Sequence, residues 1–253
     1  MFHSVTINGK NTWDDYHMVP VEGIYVPDPP EQKVTTIDLK AANGLIDVST
    51  LLTGYPVFNN RHGDLQYYLL EPSDVAQYAE IGGSQNLGDF PSAYDVYSQI
   101  LNDIHGQTGT MFFEDDPLWE YKGKFTVTSF VTNALRRTVI IHYEVAPYKT
   151  KRTATTKSIS GTGSFSYLTL GPDELGTMPN NPIVTISGLP DATTCQVQIV
   201  YPPYTNTAKT ITKTIGVNTS VRYADFLFYK NAKIGFNGPS GSTATFTFNP
   251  GRF

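Results

Sequence analysis

The chain has 253 residues, 40% hydrophobic and only 16% charged, with 16 tyrosines and 14 phenylalanines. That is material for one large domain or two ordinary ones with packed cores, and the aromatics favour strands. The net charge of −5 argues against a nucleic-acid binder, whose affinity rests on lysines and arginines neutralising phosphates. The lone cysteine, Cys195, excludes an internal disulfide, and there is no run of about 18 apolar residues to form a spanning helix.

The sum hides an asymmetry. Residues 1–149 carry 9 basic and 19 acidic side chains, a net of −10, whereas residues 150–253 carry 9 and 4, a net of +5. A sign change halfway along suggests two domains with different surroundings. MFHSVTING lacks a basic region followed by an apolar stretch, so no secretory signal is expected. The sequon Asn218-Thr219-Ser220 is accordingly expected to go unused.

In chain order, residues 3–7 alternate and end in Asn8-Gly9, the pair that tolerates the positive φ angles of a tight hairpin turn. The return strand is predicted from Asn11 to His17. Residues 20–33 hold four prolines and read as an extended arm or surface loop, because proline removes a backbone donor. Strands are predicted near Val34–Leu39 and Gly63–Leu70, with a mixed, turn-bounded segment between them. Residues 71–91 form a long polar connection, a length that is often functional.

One helix stands out in SAYDVYSQILNDIHG. Val96, Ile100 and Ile104 recur every four residues with Tyr97 and Leu101 beside them. Ser92 is the predicted N-cap, Asp95 completes a shortened capping box, and Gly106 is the predicted stop. Strands follow over 110–114, 121–131 and 137–146. In the last of these Val139, Ile141, Tyr143 and Val145 share one face, while Ile140, His142 and Glu144 share the other. The basic, threonine-rich APYKTKRTATTKS breaks the pattern near residue 150. Short strands are then predicted over 165–170, 183–187, 195–200, 209–217, 220–229, 233–236 and 243–248, separated by turn signals and without helices. The reading is mainly β, with two domains: an antiparallel β-sandwich carrying one amphipathic helix over residues 1–150, and a second β-sandwich over 151–253.

No nucleophile elbow, P-loop or dinucleotide fingerprint occurs. His3, His17, His62, His105 and His142 show no zinc-ligand spacing, and Cys195 lies among strand residues as a buried structural thiol. Glu114-Asp115-Asp116-Pro117 has turn chemistry, since Asp side chains bond nearby backbone N–H groups and proline presets φ. A calcium-type site is the alternative. A hydrolase would need a second carboxylate brought near by folding. Asp14, Asp15 and Asp28 read as surface acids. Tyr201-Pro202-Pro203-Tyr204 reads as a stiffened loop folded back on the second domain, with stacking on sugar rings as the alternative. No catalytic, cofactor-binding or metal-binding residue is expected.

Five segments together resemble one family: NTWDDYHMVP (11–20), GLIDVSTLLTGYPVFNNR (44–61), YSQILNDIHG (97–106), FFEDDPLWEYKGKF (112–125) and HYEVAPYK (142–149). In this order they resemble the distal tail protein of long-tailed, non-contractile phages and related prophages. The resemblance covers nearly all of residues 1–149, and the second domain matches more loosely through its last strand and Asn249-Pro250-Gly251-Arg252-Phe253. It implies a ring, usually hexameric, at the tail tip. The ring would join the tail tube protein to the tail-associated baseplate hub protein and pass DNA through its bore. The first domain would build the ring. The second, galectin-like, would point outward and could support a receptor-binding protein.

The resemblance implies no catalytic residues, no cofactor, no stable nucleic-acid binding, no membrane, and assembly in the host cytoplasm into the virion. Acids of the first domain could line the bore and repel passing phosphates, or serve only as solubilising surface. Residues 71–91 are longer than the resemblance leads one to expect, and the arm at 20–33 is the expected clasp between subunits. The second domain has no spare length for an inserted carbohydrate-binding module, so receptor recognition is expected of a partner. The rival reading is a cell-wall carbohydrate-binding accessory protein acting through the C-terminal sandwich.

Overall fold

The computed structural model describes residues 3–21, 27–38, 45–51, 53, 55–70, 92–132, 136–171, 174, 176–191, 193–201, 210–228 and 232–253. The long connection at 71–91 lies outside the described residues. The chain divides into two compact units, Met1–Lys149 and Thr150–Phe253. It is mainly β, built from antiparallel sheets.

The first unit opens with β1 (Val5–Ile7) and β2 (Lys10–Asn11). Asn8 and Gly9 both have positive φ, 52° and 81°, and Ile7 pairs with Lys10, as a two-residue turn of this kind requires. The return strand stops at Asn11, six residues short of the prediction. The Asn11 side chain accepts hydrogen bonds from the backbone N–H groups of Trp13 and Asp14, and its carbonyl accepts from Asp15. Such local bonding offers the backbone a turn in place of a ladder. After that turn come β3 (Met18–Pro20), β4 (Thr36–Asp38), β5 (Leu45–Asp47) and β6 (Arg61–Leu69). Strand β5 falls in the segment read as mixed; among the described residues its strand partner is β4.

The helix α1 (Ala93–Asp103) is N-capped by Ser92, whose side chain accepts from the Asp95 N–H. It ends by Gly106, at φ 73°. Eleven residues are marginal as an isolated helix, so packing holds it. Ala93, Val96, Ile100 and Ile104 are buried, with Tyr97 and Leu101 partly so. Each large apolar side chain removed from water contributes about 1.5–3 kcal/mol.

Three long strands follow: β7 (Thr108–Phe113), β8 (Trp119–Thr132) and β9 (Arg137–Val145). The main sheet runs β2-β1-β7-β8-β9-β6-β3. Val139, Ile141, Tyr143 and Val145 face its core, together with Leu65, Tyr67, Phe125 and Val127. A register shift between Val127 and Ser129 is a bulge, which re-aims the residues beyond it. Phe130, three residues after Val127, thus still reaches the helix and stacks on Tyr97 at 4.2 Å.

The unit boundary falls within β10 (Lys149–Lys151). The second unit contains β11 (Thr155–Ser160), β12 (Ser166–Thr169), β13 (Ile183–Ser187), β14 (Cys195–Val200), β15 (Thr210–Ile215), β16 (Ser220–Val221), β17 (Lys233–Asn237), β18 (Thr243–Phe248) and β19 (Gly251–Arg252). Two four-stranded sheets, β11-β18-β13-β16 and β12-β17-β14-β15, form the sandwich. Val184, Ile186, Ala244, Phe246 and Phe248 of one meet Val197, Ile199, Ile234 and Phe236 of the other.

Two predictions differ here. Strand β11 lies in the segment read as patternless, because it contributes only Ile159 to the core; its pairing with β18 over six residues makes it a strand. The strand predicted over 220–229 ends at Val221. Phe226, after a turn, and Phe228, bridged to Asn180, fill the core beyond it.

Candidate functional site

The acidic run sits in the connection between β7 and β8. The Asp116 N–H donates to the Phe113 carbonyl, and Trp119 N–H to the Asp116 carbonyl, so the segment is a tight turn. Its three carboxylates go to three different partners. Glu114 Oε1 accepts from Asn11 Nδ2 at 2.8 Å, Asp115 Oδ2 pairs with His3 Nδ1 at 2.5 Å, and Asp116 pairs with the Lys149 ammonium. Successive side chains diverge, and each acid is neutralised or hydrogen-bonded separately. The arrangement ties the turn to the first hairpin and to the end of the first unit. It does not set two carboxylates against one substrate.

The histidines are equally dispersed. His142 Nδ1 lies 2.8 Å from Asp64 on the exposed face of the main sheet. His105, just past α1, accepts the Val127 N–H on Nδ1 at 3.2 Å. His17 ends the turn after β2 at φ 51°, and burial pushes its imidazole below the usual value. His62 lines an open polar cleft of about 700 Å³ that also holds Asp28, Glu31, Lys33, His142 and Glu144. Among the described residues no three His, Cys, Asp or Glu side chains converge on one point.

That cleft is floored by Arg61, which sequence reasoning passed over. The residue is buried, 6% exposed. Nη1 donates to the carbonyls of Pro27 and Asp28, at 3.2 and 3.1 Å, and Nε to that of Pro147 at 2.8 Å. Lys33 N–H donates to Val57 and Asn59 N–H to Glu31. The described part of the proline-rich arm is therefore pinned along its own unit. These three carbonyls lie outside the strands, and a buried fork of N–H donors supplies their partner. The signal available in the sequence was an arginine at the start of an otherwise alternating strand.

Past the arm, the β4–β5 hairpin stands with its apolar side chains in water. Ile37 and Ile46 are directly opposite each other and are 47% and 46% exposed; Val34 and Leu51, before and after the two strands, are 63% and 76% exposed. A two-stranded ribbon with an apolar cross-strand pair in water has little to stabilise it alone.

In the second unit Cys195 is buried, and burial pushes its thiol up. The Tyr201 hydroxyl donates to the Leu227 carbonyl and the ring packs on the core; Pro202 to Tyr204 lie outside the described residues. Asn218 of the sequon accepts the Leu189 N–H at 2.8 Å and donates to its carbonyl at 3.1 Å, so its amide braces a loop.

The chain combines a helix-backed sheet with a sandwich, no metal-ligating side chains converge among its described residues, and its fold is similar to that of a phage distal tail protein. One solved structure it matches is SPP1 Dit (gp 19.1), described as a paradigm of the hub adsorption apparatus in phages infecting Gram-positive bacteria. The TM-score is 0.59 with 12% sequence identity, covering 98% of this chain and 99% of that one. No protein-family model matches the chain, and no curated protein matches it in sequence.

Proposed function

We propose that the chain is a structural protein of a siphophage tail tip, a distal tail protein that closes into a ring, hexameric by the family resemblance. The observation carrying this reading is that a single hub protein matches both units together over almost the whole of both chains. The ring joins the tail tube protein to the baseplate hub protein, and DNA passes through its centre. The first unit builds the ring, and the second, a galectin-like sandwich, faces outward, where it can support a receptor-binding protein. The protein is assembled in the host cytoplasm, ends in the virion tail, and catalyses nothing.

The exposed Ile37–Ile46 hairpin supports the reading, because subunits of a ring must offer apolar surface to a neighbour, and a head-to-tail interface closes only at the right rotation. The hairpin is thus a second candidate clasp beside the arm at 20–33, of which Arg61 holds Pro27 and Asp28 and residues 22–26 lie outside the described residues. The purified protein tests this by light scattering and negative-stain imaging. Six-fold particles with an open centre are expected. A chain that stays monomeric both alone and in the presence of assembled tail tubes would overturn it.

A further inference from the structure

On the outer face of the second sheet of the sandwich, one row of residues crosses all four strands: Tyr167 on β12, Gly235 on β17, Gln198 on β14 and Thr212 on β15. The row is wired together. The Tyr167 hydroxyl donates to Gln198 Oε1 at 2.6 Å, and Gln198 Nε2 donates to the Thr212 hydroxyl at 3.2 Å. To reach Gln198 the tyrosine must lie across the strand between them, and that strand offers a glycine. A Cβ at position 235 would stand 2.7 Å from the Tyr167 ring and 3.3 Å from that of Phe165. Phe165 lies beside Tyr167 with its ring plane tilted only 21° from it, centroids 5.9 Å apart. The tyrosine is thus held flat on the sheet, yet half of it, 50%, remains in water.

Two residues further along β14 and β17, Gln196 faces Asn237. Both line a hollow of about 330 Å³ shared with Thr193 and Thr194 and with no charged side chain in its wall. A fixed aromatic face beside uncharged amides and hydroxyls has a specific complement. The aromatic face takes a ligand surface of C–H groups; amides and hydroxyls both donate and accept, as a ring of hydroxyls demands. The missing charges disfavour phosphate or carboxylate ligands.

We propose that this face binds a neutral saccharide, one pyranose ring lying on Tyr167 and its neighbour reaching the Gln196–Asn237 hollow. The platform is pre-organised, since Gly235 and Gln198 fix the ring before any ligand arrives, which lowers the ordering cost of binding. The site differs from the Tyr201–Tyr204 segment considered from sequence, whose described tyrosine is turned into the core.

The full-length protein is applied to immobilised neutral β-glucan, β-galactan and N-acetylglucosamine oligomers, with poly(glycerol phosphate) as the anionic control. Retention is expected on at least one neutral glycan and not on the control. Tyr167→Ala should weaken it by about tenfold or more, the scale of one lost aromatic contact. Tyr167→Trp should keep it, and Tyr94→Ala, in the first unit, should not change it. Gly235→Ala, which lifts the ring, should weaken it although Tyr167 is still present. Retention on no neutral glycan, or equal retention by wild type and Tyr167→Ala, overturns the proposal. Ring formation, scored on the same samples, is expected to be unaffected by Tyr167→Ala, so the two readings fail separately.

Discussion

At the scale of single residues, the polar groups of the first unit act as fasteners. Asn11 bonds Ser4 and Glu114 while its own side chain organises the turn after it; Thr12, fully buried, accepts the Val5 N–H. Tyr16 does the same at longer range. Its buried hydroxyl donates to Asp103 Oδ2 at 2.8 Å and ties the first turn to the end of α1. Burial, and then the Asp103 carboxylate, hold the phenol well above its usual value. A folded value raised above the unfolded one means that the contribution to stability is complete below the unfolded pKa, about 10, and is lost as pH rises beyond it. Tyr16→Phe should cost about 1 kcal/mol near neutrality, because Asp103 is only half-buried and recovers water. It should also flatten the alkaline loss of stability above about pH 10; urea unfolding at pH 7 and at pH 10.5 measures both. None of these pairings was legible in the sequence, where Tyr16 and Asp103 are two of many polar residues far apart along the chain.

At the scale of elements, legibility followed periodicity. The helix, strand β9 and the sandwich strands β13, β14 and β18 carry enough apolar side chains on one face to declare their period, and they lie where the pattern puts them. Strand β11 did not, since a run of threonine, lysine and serine with one isoleucine has no visible period; only the six-residue ladder to β18 defines it. The proline-rich arm reads as irregular and is irregular over residues 27–31, but its docking on Arg61 is a tertiary fact. Arg61→Met keeps much of the side-chain volume and strands the carbonyls of Pro27, Asp28 and Pro147. It should destabilise the first unit by about 3 kcal/mol, the order expected for losing hydrogen bonds to a buried charge. It should also open residues 27–33 to protease, with denaturant titration and limited proteolysis as the measurements.

At the scale of the whole molecule, the proposed ring role rests on what the first unit leaves uncovered. The hairpin of β4 and β5 carries apolar side chains opposite one another in solvent, so changing them should leave the fold intact and alter only association. The pair Ile37→Lys with Ile46→Glu keeps a favourable cross-strand contact and, as surface substitutions, should shift unfolding by no more than about 0.5 kcal/mol. Particles seen by light scattering for the wild type should be absent for the double variant at the same concentration. Rings that persist with both substitutions would move the subunit contact elsewhere on the first unit.

The sequence by itself determined the mainly β class, the amphipathic helix over Ala93–Asp103 with its serine cap and glycine stop, and the turn chemistry of the acidic run. These rest on short-range rules: side-chain period, capping and backbone preference act over a few residues and are written in consecutive letters. Only the tertiary structure decided that Glu114, Asp115 and Asp116 each have a separate partner, that Arg61 pins the arm, and that Tyr167 lies flat over Gly235. Those outcomes depend on which strands become neighbours and in what register. Register is a property of the assembled sheet, in which residues about 70 positions apart, such as Tyr167 and Gly235, are set side by side.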